Sequence, residues 1–293
     1  MQPQTGIGVI NPADLGLDRE LWRWVPDNVT LHMTRLPHQP GAIDVERAGA
    51  LGDPRPVMAA TRQVLSPEPA AIAYACSMAS FVGGAAGERA LVDAMLEAGA
   101  PAATTSSGAM VSEFIHHEFE RIALLTPYGD DVVLRLRDFL GEHEIGVTTS
   151  VDMGLRGRIW TLGYEQVAQA ARRVDTRGAD ALYIACTNVV TYDLIEPLQR
   201  ELGLPVLSAN QTTMAAAMRL AGVQPTRATN LPETLVAPSW AVNLPEALPP
   251  SNPRPVNDPS NEPTALRSSN SPRAELVGRN DPWNDPLTEP EAV

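Results

Sequence analysis

Lysine is missing from this chain. All 22 basic residues among its 293 are arginine, and without lysine there is no Schiff base of the kind on which pyridoxal phosphate enzymes and class I aldolases depend. No run of 18 apolar residues occurs, so no membrane span is expected. The opening Met1-Gln2-Pro3-Gln4 lacks a basic stretch followed by an apolar one, so no secretory leader is expected and the predicted localisation is cytoplasmic. Basic clusters are also absent, and with a net charge of −13 this argues against nucleic acid and against anionic membrane surfaces as partners. Cysteine occurs only twice, and in a reducing compartment the two are expected as free thiols.

Those two cysteines share a local setting. Ala71-Ile72-Ala73-Tyr74-Ala75-Cys76-Ser77-Met78 and Ala181-Leu182-Tyr183-Ile184-Ala185-Cys186-Thr187-Asn188 are both short apolar, β-rich runs ending in a thiol and a small polar residue. Other landmarks recur in the same order. Ile7-Gly8-Val9-Ile10-Asn11-Pro12 is echoed by Ile122-Ala123-Leu124-Leu125-Thr126-Pro127, and Ala98-Gly99-Ala100-Pro101 by Leu202-Gly203-Leu204-Pro205. Offsets that drift by a few residues over about a hundred are what altered loop lengths produce between two copies of one unit. Residues 1–115 therefore read as one α/β half carrying Cys76, and 116–225 as a second carrying Cys186.

Within the first half, strands are predicted at 7–10, 29–33 and 71–75, with the best helices at 56–64 and 88–98. The second half repeats the alternation, with strands at 122–125, 147–150, 181–185 and 206–208 and helices at 131–141, 164–175 and 193–202. Strands alternating with helices imply parallel sheets covered by helices, so each half is expected as a small doubly wound α/β domain. From 226 to 293 the composition changes: 13 of the 27 prolines fall there, and this tail is expected to be mostly disordered.

Ligands of parallel α/β sheets bind at the carboxyl ends of strands, where loops lead into helix N-termini. Both cysteines are expected at such points. A helix N-terminus favours a thiolate, so their pKa is expected to fall below the free value. If the halves face each other about a pseudo-twofold axis, the two thiols meet across one cleft. Thr104 to Gly108 and Ser208 to Thr213 offer further hydroxyls, amides and N–H groups for a carboxylate, with helix capping as the competing role for Ser106, Ser107 and Asn210. His116 and His117 are expected on a solvated helix face, and His32, His38 and His143 have no partner motif. Gly83, Gly84 and Gly87 lack the lysine and spacing of a phosphate loop and read as a tight helix start.

Over residues 5–223 the chain resembles the aspartate/glutamate racemase superfamily, and within it the branch of maleate cis-trans isomerases and arylmalonate decarboxylases. The matching pieces are Ala73-Tyr74-Ala75-Cys76-Ser77, Ala103 to Ala109, Leu125-Thr126-Pro127-Tyr128 and Ala185-Cys186-Thr187-Asn188. The resemblance implies a two-cysteine isomerase or racemase of a small carboxylic or dicarboxylic acid, with Cys76 as nucleophile or base and Cys186 as its partner. It also implies Tyr128 as a carboxylate ligand, with Ser77, Met78, Thr187 and Asn188 supplying donors and Asn11 among the substrate-binding residues. No metal or organic cofactor is implied. Expected partners are a small carboxylate substrate and, since faces of such domains often pair, a second copy of the chain as a homo-oligomer.

Decarboxylases of the arylmalonate type carry glycine at the first cysteine, so Cys76 argues against that alternative. A non-catalytic acid-binding protein of the same fold is the other. The isomerases usually carry Ser-Ser-Asn after the first proline, where this chain has Ala13-Asp14-Leu15. An Asp14 side chain pointing inward would repel an anion.

Overall fold

The computed structural model describes residues 4–225; the proline-rich stretch predicted as disordered lies outside them. The first half runs β1 (Thr5–Asn11), α1 (Asp18–Arg23), β2 (Val29–Arg35), α2 (Val45–Leu51), α3 (Pro54–Val64), β3 (Ala71–Tyr74), α4 (Ser77–Phe81), α5 (Gly84–Glu97), β4 (Ala103–Thr105) and α6 (Ser106–His116). The second runs β5 (Arg121–Thr126), α7 (Asp130–Glu142), β6 (Gly146–Asp152), a single 3-10 turn (Ile159–Thr161), α8 (Tyr164–Arg172), β7 (Ala181–Ile184), α9 (Ile195–Leu202), β8 (Val206–Ser208) and α10 (Ala209–Leu220).

The strand orders are β2-β1-β3-β4 and β6-β5-β7-β8, so one topology is used twice. All pairings are parallel, with Ile7 opposite Ala71 in the first sheet and Ile122 opposite Ala181 in the second. The central strands β3 and β7 are buried along their whole length, as expected of parallel strands covered on both faces, which read as unbroken apolar runs. Contacts knit both sheets into one compact unit.

The helices form where capping and periodicity agree. Asp53 caps α3 by accepting from the Arg55 N–H, Pro54 fills the first turn, and Val57, Ala60, Thr61 and Val64 turn inward at helical spacing. The expected glycine-rich helix start is present: Gly84 adopts φ +66° at the first residue of α5, a conformation that favours glycine. Ser208 caps α10 in a reciprocal arrangement with Gln211, and that helix is buried from Ala209 through Met218. Among the described residues, no helix is long and apolar enough to cross a membrane.

Candidate functional site

Strands β3 and β7 deliver the two cysteines to corresponding ends of the two sheets. Cys76 follows β3 as the N-cap of α4, with extended backbone, as the sequence predicts. Cys186 does not follow the same plan. It stands at φ +82° ahead of an irregular segment, and the next helix, α9, begins only at Ile195. A left-handed backbone at a residue other than glycine costs about 1–3 kcal/mol and persists only where its surroundings over-determine it. Here the Asn188 N–H points back at the Cys186 Sγ at 3.4 Å, a contact that this turn permits.

The two cysteine loops meet. The Thr187 hydroxyl donates to the Ala75 carbonyl at 3.0 Å, joining the residues beside the two thiols. The Asn188 amide donates to the Asp14 carbonyl (2.9 Å) and accepts from the Gly16 N–H (3.0 Å), tying the second cysteine loop to the loop after β1. A charge on Cys186 is felt at Cys76, so the thiols share one electrostatic environment.

That environment reverses the expected acidity. Burial pushes the Cys76 thiol up to about 12, the Ala79 backbone N–H opposing it in part, and the Cys186 and Asp14 charges pushing further in the same direction. Burial raises Cys186 to about 11, against donors from the Tyr128 hydroxyl and the Asn188 N–H. With Cys76 only 4% and Cys186 only 7% exposed, loss of water outweighs the favourable helix N-terminus and backbone N–H groups. The free site therefore holds two neutral thiols at pH 7.

The other predicted site residues lie nearby in differing states. Tyr128 is buried, its ring edge-on to Phe81, and its hydroxyl faces Cys186, where burial and the thiol charge raise its own pKa. Asn11 ends β1 fully buried, and neither side-chain polar atom has a hydrogen-bond partner; the buried Ser77 hydroxyl likewise has none. Unsatisfied buried amides and hydroxyls cost about 1–3 kcal/mol each, which makes both suited to a polar ligand. Met78 is buried in the first turn of α4. The side chains of Thr187 and Asn188 are instead engaged in the links described above, and the Asn188 N–H is directed at the Cys186 Sγ.

The Thr104–Gly108 and Ser208–Thr213 segments are also more occupied than expected. Thr105 and Ser208, the last strand residues, are the caps. The Thr213 hydroxyl donates to the Ser106 hydroxyl (3.0 Å), Ser107 lies 2.7 Å from the Ser80 hydroxyl, and the Asn210 amide donates to the Val189 carbonyl. The first of these bonds joins α10 to α6, the second ties α6 to α4, and the third ties α10 to the segment after β7.

Three residues, Arg47, Tyr74 and Glu20, escape a reading of the sequence alone. The Asp14 carboxylate is paired with Arg47 of α2 at 2.7 Å, both side chains largely buried, and its charge still reaches both thiols. The Tyr74 hydroxyl donates to the Leu51 carbonyl at 2.8 Å and also interacts with Cys76. Glu20 in α1 is buried and accepts from the Thr191 N–H, the Thr191 hydroxyl and the Tyr192 N–H of the second cysteine loop. An acidic residue in the loop after β1 signals that a cation is needed, but 22 arginines give no means of choosing one from sequence.

The histidine pair is corrected in part. His116 is exposed as expected, while His117 stacks on Phe119 and lies 3.5 Å from the buried Glu113 carboxylate. Burial opposes ionisation of Glu113, but His117 and Arg219 together hold it below its ordinary value. Among the described residues, no group of three or more His, Cys, Asp or Glu could hold a metal ion.

A family model described as arylmalonate decarboxylase matches residues 55–231. The chain is 33% identical to an arylmalonate decarboxylase of Bordetella bronchiseptica over 157 residues, 49% of this chain and 61% of that protein. It is 30% identical to a maleate isomerase of Nocardia farcinica over 155 residues, 50% of this chain and 62% of that protein. Each match thus spans about three fifths of the curated relative. Among solved structures, a liganded arylmalonate decarboxylase mutant, with one glycine changed to cysteine and one cysteine to serine, superposes with a TM-score of 0.69. It is 27% identical and covers 75% of this chain and 93% of that one. A cysteine-to-serine mutant of the Nocardia farcinica maleate cis-trans isomerase, carrying a covalently bound succinylcysteine intermediate, gives 0.68 at 24% identity over 75% of this chain and 93% of that one.

Proposed function

We propose, given that this chain belongs to the arylmalonate decarboxylase family, that it is a cofactor-independent isomerase of a small unsaturated dicarboxylic acid of the maleate kind. The observation that carries this reading is the pair of buried thiols at equivalent strand ends, Cys76 and Cys186, joined through Thr187 and Ala75. A decarboxylase of the arylmalonate type needs one cysteine and carries glycine where this chain has Cys76. A second thiol has a use in isomerisation. The maleate isomerase relative and the succinylcysteine in the isomerase of like fold support the same chemistry.

The reactive form is the pair with a single proton, since the charge of either thiolate disfavours the other. The Cys76 thiolate adds to one carbon of the double bond, and the electron pair moves to the neighbouring carbon beside a carboxylate. The Cys186 thiol donates its proton there. Rotation about the new single bond comes next. Cys186 then takes the proton back, the C–S bond breaks, and the trans acid leaves with the thiolate restored. Tyr128, Asn11 and Ser77 are the proposed carboxylate ligands, the last two because their buried polar atoms are unpartnered.

Decarboxylation with Cys186 as sole proton donor is the second reading, favoured by the family model and the Bordetella relative. Proton NMR in deuterium oxide with maleate and substituted malonates separates the two. Maleate turning to fumarate, lost in both Cys76→Ser and Cys186→Ser, supports isomerisation. Carbon dioxide release from malonates that survives Cys76→Ser and fails in Cys186→Ser supports decarboxylation instead.

A further inference from the structure

We infer that Glu20 is a positioning residue for Cys186, reaching from α1 of the first half to hold the segment that fixes the left-handed turn at the thiol. This rests on the reading that Cys186 works on the substrate. The segment from Cys186 to Leu194 lies between β7 and α9 and has no sheet or helix ladder of its own, so its conformation is set by what it touches. One oxygen of Glu20 accepts three hydrogen bonds from it, from the Thr191 N–H at 2.6 Å, the Thr191 hydroxyl at 2.9 Å and the Tyr192 N–H at 2.7 Å.

The same helix adds to this grip. Trp24 packs on the Tyr192 ring at 4.7 Å, the Arg23 guanidinium lies 4.0 Å over that ring, and Arg23 is paired with Asp193. Nearer the thiol, Asn188 is bonded to Asp14 and Gly16 in the loop that leads into α1. Residues 14–24 thus hold Asn188, Thr191, Tyr192 and Asp193, all within seven positions of Cys186. A carboxylate is seldom buried without satisfied partners, and the partners of Glu20 belong to the opposite half. The arrangement makes the geometry of the second thiol depend on docking of the first half.

The test is site-resolved alkylation of the full chain with iodoacetamide at pH 9, read by mass spectrometry in Glu20→Ala and Glu20→Gln. The expected result for Glu20→Ala is a change of about tenfold at Cys186 with Cys76 within about twofold of the unmodified chain. Glu20→Gln, whose amide oxygen can accept the same bonds, should restore the Cys186 rate. A folded Glu20→Ala variant in which neither thiol changes, or both change equally, would overturn the proposal. Should Glu20→Ala not fold, Thr191→Val removes one of the three bonds; a change confined to Cys186 supports the inference and an unaltered Cys186 overturns it. If Glu20→Ala alters Cys186 while Cys186→Ser retains full turnover, the positioning stands and the catalytic reading of Cys186 fails.

Discussion

Raising the pH in the absence of substrate should activate the two thiols late and unequally. A cysteine titrating at the ordinary 9.0 has about 1% thiolate at pH 7. At about 12, Cys76 has roughly a thousandth of that, and Cys186, at about 11, roughly a hundredth. The greater nucleophilicity of a more basic thiolate returns about 20-fold at Cys76 and about 8-fold at Cys186. Net rates at pH 7 should then be about 50-fold and about 10-fold below that of an unperturbed thiol, before any added hindrance from burial. Measured by mass spectrometry after timed iodoacetamide pulses, both rates should rise about tenfold for each pH step from 7 to 10, with Cys186 ahead of Cys76. A plateau below pH 9 at either cysteine would refute the argument that burial dominates the helix N-terminus and the facing N–H groups.

Burial of the same groups predicts alkaline instability. Folded-state pKa values raised above 9.0 mean that the unfolded chain releases its thiol protons first. Their contribution is therefore complete below pH 9 and is lost as pH rises through about 11 and about 12, at about 1.4 kcal/mol per pH step for each thiol; urea midpoints between pH 8 and 10.5 check it. Arg47→Met removes the partner of a largely buried Asp14 and should raise KM for a dicarboxylate by about tenfold or more, with Asp14→Asn in the same chain restoring part of the loss. An unchanged KM would show that the pair lies outside the anion's reach. Arg219→Ala leaves the buried Glu113 with His117 alone and should cost about 3 kcal/mol of stability, measured by chemical denaturation.

Much of the fold can be read from the chain because its signals are local. The alternation of apolar runs with amphipathic stretches locates β1, β2, β3 and β5 to β8 to within a few residues, and the recurring landmarks anticipate two sheets of one topology. The short helix α2 carries too few turns to show a period, so the sequence gives no bounds for it. At the candidate site, the strand-Cys-polar pattern locates both thiols, and the Gly83-Gly84 pair marks the start of α5. The backbone at Cys186 departs from the expected helix start, because a left-handed turn at a non-glycine residue leaves no compositional trace.

The sequence by itself determined the class of fold, the duplication, the absence of lysine-dependent chemistry and the placing of two cysteines at strand ends. Tertiary structure alone decided their state. Acidity depends on how much water reaches a thiol and which charges stand nearby, and those are set by residues distant in the chain. Asp14 finds Arg47 33 positions away, Glu113 finds Arg219 106 away, and Glu20 finds Thr191 171 away. Side-chain periodicity acts over a few residues; desolvation and charge pairing act over a few ångströms, and only the folded chain relates the two distances.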